Sequence, residues 1–474
     1  MVMGDVATGT DVLVIGGGPG GYVAAIRAAQ HDLDVTLVER DAYGGTCLNH
    51  GCIPSKAFIT AADLAHEAGN AEAMGIHADP AVDMAGLAAW KDDVVDQLTS
   101  GVEKLCKANG VHLLEGTAAF KDDHTARIAH GGEGQGMESV EFEECIVATG
   151  SRPLEIPGFS FADEPVWASK DALAAEAVPD ELVVVGAGYI GMELSTTFAK
   201  VGADVTVVEM LDSALPAYDE DVTRVVRSRA ADLGVDFQFG EGASEWHETG
   251  DGIEVVTETD EGETASYDAD KVLVAVGREP VTDTLELDTI GLEPDENGFL
   301  ATDDRARTEV DHIYAVGDVA GEPMLAHKAS AEGVVAAETT AGEPAALDHQ
   351  AIPAAVFTDP EIGTVGMTES EAADAGYDPV VGEMPMRASG RALTMNESEG
   401  FVRLVGDGET GFLLGAQIVA PEASELIAEL GLAIELGATI EDVASTIHTH
   451  PTLSEATMEA AENAMEQAIH TLNR

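Results

Sequence analysis

Positively charged residues are scarce in this chain of 474 amino acids: 23 Lys and Arg stand against 88 Asp and Glu, a formal net charge of −65. Such a surface repels nucleic acid and anionic lipid, so neither is an expected partner. The carboxylates are spread along the whole chain, and the apolar content of 45% is that of an ordinary folded protein. Disorder is therefore not the explanation of the charge.

An acidic coat distributed in this way is typical of a protein that works at high salt. At about 1 M ionic strength the screening length is roughly 3 Å, so repulsion among the carboxylates is suppressed. We predict a halophilic protein whose thermal midpoint rises between low and molar salt. Thermal melts over a salt series measure this, and a midpoint that stayed level or fell would contradict the prediction.

Export and membrane signals are also missing. Residues 1–10 have neither the basic start nor the apolar core of a signal peptide. No uninterrupted apolar run is long enough to cross a bilayer. These absences predict a soluble, cytoplasmic protein, and the length is that of about three average domains.

Cysteine is rare, yet two of the four cysteines, Cys47 and Cys52, lie five positions apart. A disulfide closing so short a loop removes only about 2 kcal/mol of unfolded-state entropy, so a structural staple is a poor explanation. Intracellular thiols are normally kept reduced, and a close pair therefore indicates redox chemistry more often than structure. Two unrelated buried cysteines are the alternative. Cys106 and Cys145 are far apart, and we expect both to be buried free thiols.

An internal repeat organises the chain. Residues 11–39 and 181–209 each contain a β-branched run, the pattern G-x-G-x-x-G, a helix-favouring stretch and a second strand whose terminal acid follows the first glycine by 23 positions. The glycines are Gly16, Gly18 and Gly21 in the first copy and Gly186, Gly188 and Gly191 in the second. One such motif is weak evidence, but the whole pattern twice in register predicts two dinucleotide-binding domains.

The repeat has a chemical reason. The first glycine permits a tight turn, the second lets backbone approach a pyrophosphate, and the third allows close packing of helix on strand. The helix N-terminus then offers free N–H groups to the phosphates. The terminal acids, Glu39 and Glu209, can each accept hydrogen bonds from a ribose diol. Since no Arg follows in residues 210–213, the second site should prefer NAD over NADP.

A second echo indicates where the chain passes between domains. Residues 145–153 and 272–280 are each an apolar strand that runs into a glycine turn, the second at Gly277. A further strand ends at Asp318, which could bind a ribityl hydroxyl or be a simple turn residue. We predict an α/β fold with two Rossmann-like domains and a C-terminal α+β dimerisation domain. The predicted bounds are 1–150 (first part of the first dinucleotide-binding domain), 151–275 (the second dinucleotide-binding domain), 276–346 (return to the first) and 347–474 (dimerisation).

The two nucleotide folds, the cysteine pair and residues 448–455 together resemble the flavin-dependent disulfide reductases, the class I pyridine nucleotide-disulfide oxidoreductases, over essentially the full length. Residues 44–56 and 450–455 are most similar to the members that oxidise dihydrolipoamide, in their halophilic archaeal form. The resemblance implies one tightly bound FAD per subunit, NAD⁺ as co-substrate and a homodimer with a shared active site. It also implies a lipoylated carrier protein as substrate, for example of a 2-oxoacid dehydrogenase or glycine-cleavage complex.

The same resemblance assigns the catalytic groups. Cys47 matches the thiol that exchanges with lipoamide, and Cys52 the thiol that faces the flavin. His450 matches the base that deprotonates the incoming dithiol, and Glu455 the carboxylate that orients its imidazole. Thiol–disulfide exchange near neutral pH needs such a proton acceptor, and histidine is the side chain whose ordinary pKa suits it.

Further residues are assigned to the cofactors by resemblance. Lys56 matches a cation near the flavin ring, Glu193 its ion-pair partner beside the nicotinamide, and Asp318 a flavin ligand. Gly277 is expected to contact NAD. His448 and His450 could also be taken for metal ligands, but their spacing and the lack of a nearby cysteine argue against it, so no metal site is expected.

The sequence leaves two alternative functions open. Tyr189 resembles the gating tyrosine of glutathione reductases, but Glu209 without a following arginine argues against an NADPH-linked enzyme. The lack of a C-terminal cysteine pair disfavours mercuric reductases and extended thioredoxin reductases. The chain could instead serve mainly as an assembly subunit whose acidic surface binds a basic docking domain, although salt adaptation explains that surface more simply.

Overall fold

The computed structural model describes residues 8–131, 136–250 and 252–473. Residues 1–7, which carry most of the argument against a leader sequence, lie outside the described residues. In the first third of the chain the elements are β1 (Thr8–Ile15), α1 (Pro19–Gln30), β2 (Val35–Glu39), α2 (Gly45–Asn49), α3 (Cys52–Gly69), α4 (Met84–Ala108), β3 (His112–Glu115), β4 (Thr117–Asp122), β5 (Thr125–Ala129), β6 (Met137–Val147) and β7 (Ser151–Pro153).

The middle of the chain repeats the alternation of strand and helix and then adds a run of strands. These elements are β8 (Val166–Trp167), α5 (Ser169–Ala172), β9 (Glu181–Val185), α6 (Tyr189–Lys200), β10 (Asp204–Glu209), α7 (Glu220–Asp232), β11 (Asp236–Phe239), β12 (Glu241–Glu248), β13 (Ile253–Thr259), β14 (Thr264–Ala269), β15 (Lys271–Val274) and β16 (Arg278–Pro280).

The last third returns to the first sheet and then builds a separate one. Its elements are β17 (Ile313–Ala315), α8 (Ala326–Thr340), β18 (Ala354–Val356), β19 (Glu361–Gly366), α9 (Glu369–Asp374), β20 (Pro379–Pro385), α10 (Gly390–Met395), β21 (Phe401–Asp407), β22 (Leu413–Ala420), α11 (Ala423–Glu435), α12 (Ile440–Ser445) and α13 (Glu455–Ala464). Among the described residues, no helix is both long and apolar enough to span a bilayer.

The two repeats form two parallel sheets of the same design. In the first sheet β3, β2, β1 and β6 lie side by side and parallel, and β17 pairs with β6. In the second sheet the parallel order is β11, β10, β9, β15 and β8. Each sheet thus places its glycine loop at the carboxyl end of its first repeat strand, where α/β sheets bind ligands.

The glycine loops of the two copies are nearly superimposable in backbone conformation. Gly16 has φ +105° and Gly186 φ +102°, a region in which other residues are strained. A Cβ at Gly21 would lie 1.8 Å from the carbonyl oxygen of Gly16, and one at Gly191 would lie 2.0 Å from that of Gly186. The third glycine is therefore required because the helix rests directly on the turn that ends the strand.

The chain crosses between the two sheets at the two similar segments 145–153 and 272–280. β7 and β16 follow the echoed strands and pair with each other in an antiparallel two-stranded ribbon. Between β11 and β15 of the second sheet, the chain forms a three-stranded antiparallel meander of β12, β13 and β14.

The C-terminal part is a five-stranded antiparallel sheet in the order β18, β19, β22, β21 and β20. Helix α11 packs on β19 and β22, and helix α13 packs on β20 and β21. A common core that includes Leu404, Ile418, Leu430 and Ala460 holds these elements together. The predicted fold class, two Rossmann-like domains and a C-terminal α+β domain, is confirmed.

A buried charge cluster joins the three parts of the chain. Lys200 at the end of α6, with a side chain only 5% exposed, pairs with Asp63 of α3 at 2.6 Å and with Asp359, which follows β18, at 2.7 Å. Arg229 of α7 adds ion pairs to Asp359 at 3.4 Å and to Glu397 at 3.0 Å. Burial opposes the charge on Lys200, but Asp359 and Asp63 outweigh it and raise the pKa of its ammonium group.

We expect Lys200→Met to lower the free energy of unfolding by about 3 kcal/mol, because it removes a buried charge, leaves Asp63 without this partner and leaves Asp359 with Arg229 alone. Chemical denaturation at molar salt measures this. The control is Lys107→Met, whose partner Glu103 lies at 2.9 Å but on the surface, both side chains being more than 40% exposed. That change should cost less than about 1 kcal/mol. Equal effects of the two substitutions would show that the cluster does not hold the domains together.

Candidate active site

The cysteine pair lies directly against the first glycine loop. Cys47 is in the short helix α2, and Cys52 is the first residue of α3, whose N-cap is Gly51. A Cβ at Gly45 would lie 2.6 Å from the Cα of Gly18, so α2 rests on the loop itself. The structure has both cysteines as free thiols, with Cys47 half-buried and Cys52 exposed. Cys106 and Cys145 are buried free thiols, as predicted.

The two thiols are chemically unequal. The Cys47 thiol donates a hydrogen bond to the sulfur of Cys52, which raises the pKa of Cys47 and, opposed by burial, lowers the pKa of Cys52 to about 7. Lys56, one helical turn along α3, lowers the pKa of Cys52 further. The N-terminus of an 18-residue helix also favours an anion at its first residue. Cys52 is therefore the thiol that ionises first.

Both cysteines line one large cavity, the main cavity, which contains most of the predicted flavin ligands. Gly16, Gly18, Glu39, Lys56 and Asp318 all line it, and so does Glu193, which was predicted to lie beside the nicotinamide. Sequence reasoning missed several other lining residues, among them Thr149, Ser151, Arg278, Met324 and Ala326. Thr149 and Ser151 lie in the first echoed segment, whose pattern indicated a chain crossing but no ligand.

The chemistry of the lining fits FAD. At one end Glu39 can receive a ribose diol beside a loop that lacks Cβ atoms at the phosphate position. At the other end the exposed Cys52 sulfur and the Lys56 ammonium group lie where a redox-active ring needs an electron donor and a cation. Asp318 lies three residues after the end of β17, a strand of the first sheet, and accepts a hydrogen bond from the Ser151 hydroxyl.

Lys56 and Glu193 form the ion pair that was predicted. Lys56 Nζ lies 2.8 Å from one carboxylate oxygen of Glu193, and the other oxygen accepts a hydrogen bond from the backbone N–H of Phe357 at 2.9 Å. The ammonium group also lies over the Phe357 ring, 4.2 Å from its centroid. Glu193 is buried, so this carboxylate joins all three parts of the chain. Its position beside a nicotinamide stays a prediction.

The acids at the two strand ends are held in the same way. Glu39 accepts hydrogen bonds from the backbone N–H of Gly17 at 2.6 Å and of Asp41 at 2.7 Å. Glu209 accepts them from Ala187 at 2.7 Å and Leu211 at 2.9 Å. Each oxygen keeps a free lone pair for a ribose hydroxyl.

The second loop lies apart from the main cavity. Gly186, Gly188, Gly191, Glu209 and Gly277 are absent from its lining, whereas Tyr189 and Glu193 on the following helix belong to it. Helix α6 therefore extends from the second loop to the redox centre. Burial raises the pKa of Tyr189 to about 12, so its hydroxyl stays protonated at neutral pH.

His450 and Glu455 form a hydrogen-bonded pair elsewhere in the same chain. His450 Nδ1 lies 2.9 Å from one oxygen of Glu455, and the other oxygen accepts the backbone N–H of Thr452 at 2.9 Å. Burial opposes ionisation of Glu455, but these hydrogen bonds lower the pKa of its carboxyl group. The His450 side chain is 81% exposed, and neither residue lines the cavity of the cysteines. Within one chain the structure does not bring the pair to Cys47.

The contacts of His448 indicate a structural role for this side chain. Its ring nitrogens lie 2.9 Å from the carbonyl oxygen of Thr446 and 2.9 Å from a carboxylate oxygen of Glu429. The side chain is only 5% exposed. In the described parts of the chain, no group of three or more His, Cys, Asp or Glu residues is arranged to hold a metal ion.

Comparison with protein families now gives the class. Residues 10–333 match the family described as pyridine nucleotide-disulphide oxidoreductase, and residues 352–461 match the dimerisation domain of the same family. The chain therefore belongs to the pyridine nucleotide-disulphide oxidoreductase family. FAD and NAD⁺ are its cofactors, and the C-terminal match supports a homodimer.

Individual relatives narrow the class further. The chain is 73% identical to a dihydrolipoyl dehydrogenase of Haloferax volcanii and 67% identical to one of Halobacterium salinarum, each over 100% of both chains. The solved structure of LpdA from Mycobacterium tuberculosis matches with a TM-score of 0.89 at 30% identity, covering 96% of this chain and 99% of that one. The haloarchaeal relatives agree with the halophilic character expected from the charge.

Proposed function

We propose that the protein oxidises dihydrolipoamide to lipoamide through Cys47 and Cys52 and transfers the electrons by way of FAD to NAD⁺. The observation that carries this is the single cavity in which an ionisable Cys52, its partner Cys47 and the Lys56–Glu193 ion pair lie beside the first glycine loop. The relatives at 73% and 67% identity are dihydrolipoyl dehydrogenases, which supports the same substrate. A glutathione-type reductase is not favoured.

The cysteines carry out the exchange. A substrate thiolate attacks the Cys47 sulfur of the oxidised pair, the Cys47–Cys52 bond breaks, and Cys52 leaves as a thiolate. The second substrate thiol then attacks the mixed disulfide, which releases cyclic lipoamide and leaves both cysteines reduced. Cys52 is the better leaving group because its pKa is lowered to about 7. When bound, FAD supplies the conversion of this two-electron dithiol couple into hydride transfer to NAD⁺.

The other residues hold charges and protons in place. Lys56 supplies a positive charge within the cavity, and Glu193 fixes its position. His450 accepts the proton of the incoming dithiol, while Glu455 fixes the tautomer by binding Nδ1. Glu209 receives the ribose diol of NAD⁺, and Gly186, Gly188, Gly191 and Gly277 line that site. Glu39 and Asp318 hold FAD, together with Gly16, Gly18 and Gly21.

His450 and Glu455 act from a second copy of the chain. Exposed apolar side chains support such a homodimer: Trp90, Leu98 and Leu105 on α4 are 39–56% exposed, and Leu432 and Leu436 of α11 and its C-cap are 60% and 75% exposed. Ile447, three residues before His450, is 96% exposed. Faces of this kind are normally covered by a partner.

The domain division and the cellular setting belong to the same proposal. The sheet pairings support domains at 1–150, 151–275, 276–346 and 347–474. The physiological substrate is a lipoylated carrier protein in the cytoplasm, and its complex is of the 2-oxoacid dehydrogenase or glycine-cleavage type.

Turnover of the purified holoenzyme at molar salt tests the function. We expect reduction of NAD⁺ by dihydrolipoamide and little reduction of glutathione disulfide by NADPH. The reverse preference would reject the proposal in favour of a glutathione-type reductase. Cys47→Ser distinguishes catalysis from assembly: full retention of the biological role in this variant would show that the chain serves mainly as an assembly subunit.

A further inference from the structure

The two strands that cross between the nucleotide-binding sheets are linked by an arginine whose charge is not neutralised. Arg278, the first residue of β16, donates from Nε to the Ser151 hydroxyl at 2.7 Å and from a terminal nitrogen to the Ser151 carbonyl at 2.8 Å. Ser151 is the first residue of β7 and is buried. Both of these hydrogen bonds thus join Arg278 to one residue, Ser151, on the opposite strand of the ribbon.

Ser151 connects Arg278 to Asp318, the predicted flavin ligand. Its hydroxyl donates to a carboxylate oxygen of Asp318 while it accepts from Arg278. All three residues line the main cavity. A hydroxyl that accepts from a cation and donates to a carboxylate is polarised in one direction, which fixes both its own rotamer and the carboxylate it binds.

The charge of Arg278 distinguishes it from the other cations around it. In the described parts of the chain, no carboxylate lies within ion-pair distance of Arg278, although 88 Asp and Glu are present in the sequence. Its neighbour across the ribbon, Arg152, is fully paired, at 2.6 Å with Glu279 and 3.0 Å with Asp283. Arg152 lines no part of the main cavity. Arg278 also lies close enough to Tyr189, at the start of α6, for its charge to lower the pKa of that phenol against the larger effect of burial.

We propose that Arg278 is a positioning residue that orients the flavin ligand Asp318 through Ser151, from the strand on which the chain returns from the NAD-binding domain. The link ties the placement of one cofactor site to the junction with the other. It rests on the proposed function only in placing FAD in the main cavity. The geometry explains why Arg278 has no carboxylate partner among the described residues of so acidic a chain. A carboxylate would compete with Ser151 for the N–H donors of the guanidinium group.

The rate at which FAD leaves the holoenzyme tests this, measured at molar salt as the rise of flavin fluorescence after dilution. Arg278→Gln and Ser151→Ala should each accelerate release by about tenfold or more, because each removes a charge-assisted hydrogen-bond link to Asp318. The double variant should be no faster than the faster single variant, since both changes break the same chain of contacts. Arg278→Lys, which can still donate one hydrogen bond to Ser151, should be intermediate.

Arg152→Gln is the matched control, since it removes the salt bridges of the same ribbon without touching the cavity. Its release rate should stay within about twofold of the wild type. The proposal is overturned if Arg278→Gln releases FAD at a rate within about twofold of the wild type, or if Arg152→Gln accelerates release as much as Arg278→Gln does. It is also overturned if the accelerations caused by Arg278→Gln and Ser151→Ala multiply in the double variant. If Arg278→Gln does not fold by circular dichroism, Arg278→Lys and Ser151→Ala carry the comparison. A wild-type protein purified without any flavin would instead refute the proposed function.

Discussion

Cys52→Ser is expected to abolish both turnover and the long-wavelength absorption that a thiolate beside an oxidised flavin gives, whereas Cys47→Ser should abolish turnover but show this absorption before any reductant is added. Cys52 lines the main cavity, lies at a helix N-terminus and has its pKa lowered to about 7, so we expect it to be the thiolate that faces a bound flavin. In Cys47→Ser that thiolate remains and no disulfide is present, so the band should appear while the flavin is oxidised and disappear when two electrons reduce it. Each variant should lose at least about a thousandfold in dihydrolipoamide–NAD⁺ turnover, as expected for loss of a covalent nucleophile or its leaving group.

The pH dependence of the same absorption has a definite sign. Because the pKa of Cys52 is lowered to about 7, the thiolate predominates above this pH and is protonated below it. The long-wavelength band should therefore grow as pH rises through about 7 and fade as pH falls. A reductive titration of the holoenzyme, followed in the visible spectrum at several pH values, measures this.

The comparison of the two serine variants decides between the cysteines. If Cys47→Ser lost the band and Cys52→Ser kept it, the assignment of the two thiols would have to be exchanged. If neither variant lost turnover, the pair would not be the redox centre. Cys106→Ser is the control for thiol chemistry elsewhere, since this buried cysteine lies in the interior of the FAD-type domain and lines no part of the cavity.

Sequence alone predicted the parts of the site that depend on local pattern. The glycine loops need particular residues because Gly16 and Gly186 adopt a positive φ, and a Cβ on the third glycine of each loop would meet the carbonyl oxygen of the first glycine of the same strand–turn–helix unit. The spacing of these glycines can therefore be recognised without a fold. The cysteine pair is likewise contained in six consecutive residues. The acids Glu39 and Glu209 mark the end of the next strand of the same unit.

Contacts between distant segments could not be predicted in this way. Phe357 holds Glu193 through a backbone N–H, a contact that leaves no signature in side-chain identity. The link from Arg278 to Asp318 depends on the pairing of two crossing strands 127 positions apart, and the echo of residues 145–153 and 272–280 indicated only that such strands exist. In the proposed dimer, the position of His450 relative to Cys47 is set by a second copy of the chain, which no sequence pattern describes.

Mixing subunits that carry Cys47→Ser with subunits that carry His450→Gln should restore activity that neither homodimer has. If His450 serves the cysteines of the other subunit, a mixed dimer contains one site in which both Cys47 and His450 are intact. With random exchange half of the dimers are mixed, so about a quarter of the wild-type turnover should return. If His450 served its own chain, every site would lack one of the two residues and no activity would return.

The structure makes the first outcome the expected one. His450 is held by Glu455 at the start of α13 in the C-terminal domain, with its ring 81% exposed and outside the cavity of the cysteines. The imidazole thus lies apart from the cysteines of its own chain, yet a carboxylate holds its Nδ1, as a general base requires. His450→Gln alone should lower kcat by about 10²- to 10⁴-fold, the usual contribution of a general base.

A second mixture shows whether the restored activity depends on the imidazole of His450 itself. Subunits with Cys47→Ser are combined with subunits that carry His448→Gln, a change at the neighbouring histidine, whose ring nitrogens are already occupied by Thr446 and Glu429. This mixture should give no more turnover than its His448→Gln subunits supply on their own. Dimer mass, measured on each mixture, shows that the subunits have exchanged. Flavin content shows that they carry the cofactor. Activity that returned only in the His450→Gln mixture would place the proton acceptor of each active site on the opposite subunit, because no other arrangement of the two lesions leaves an intact cysteine pair facing an intact imidazole.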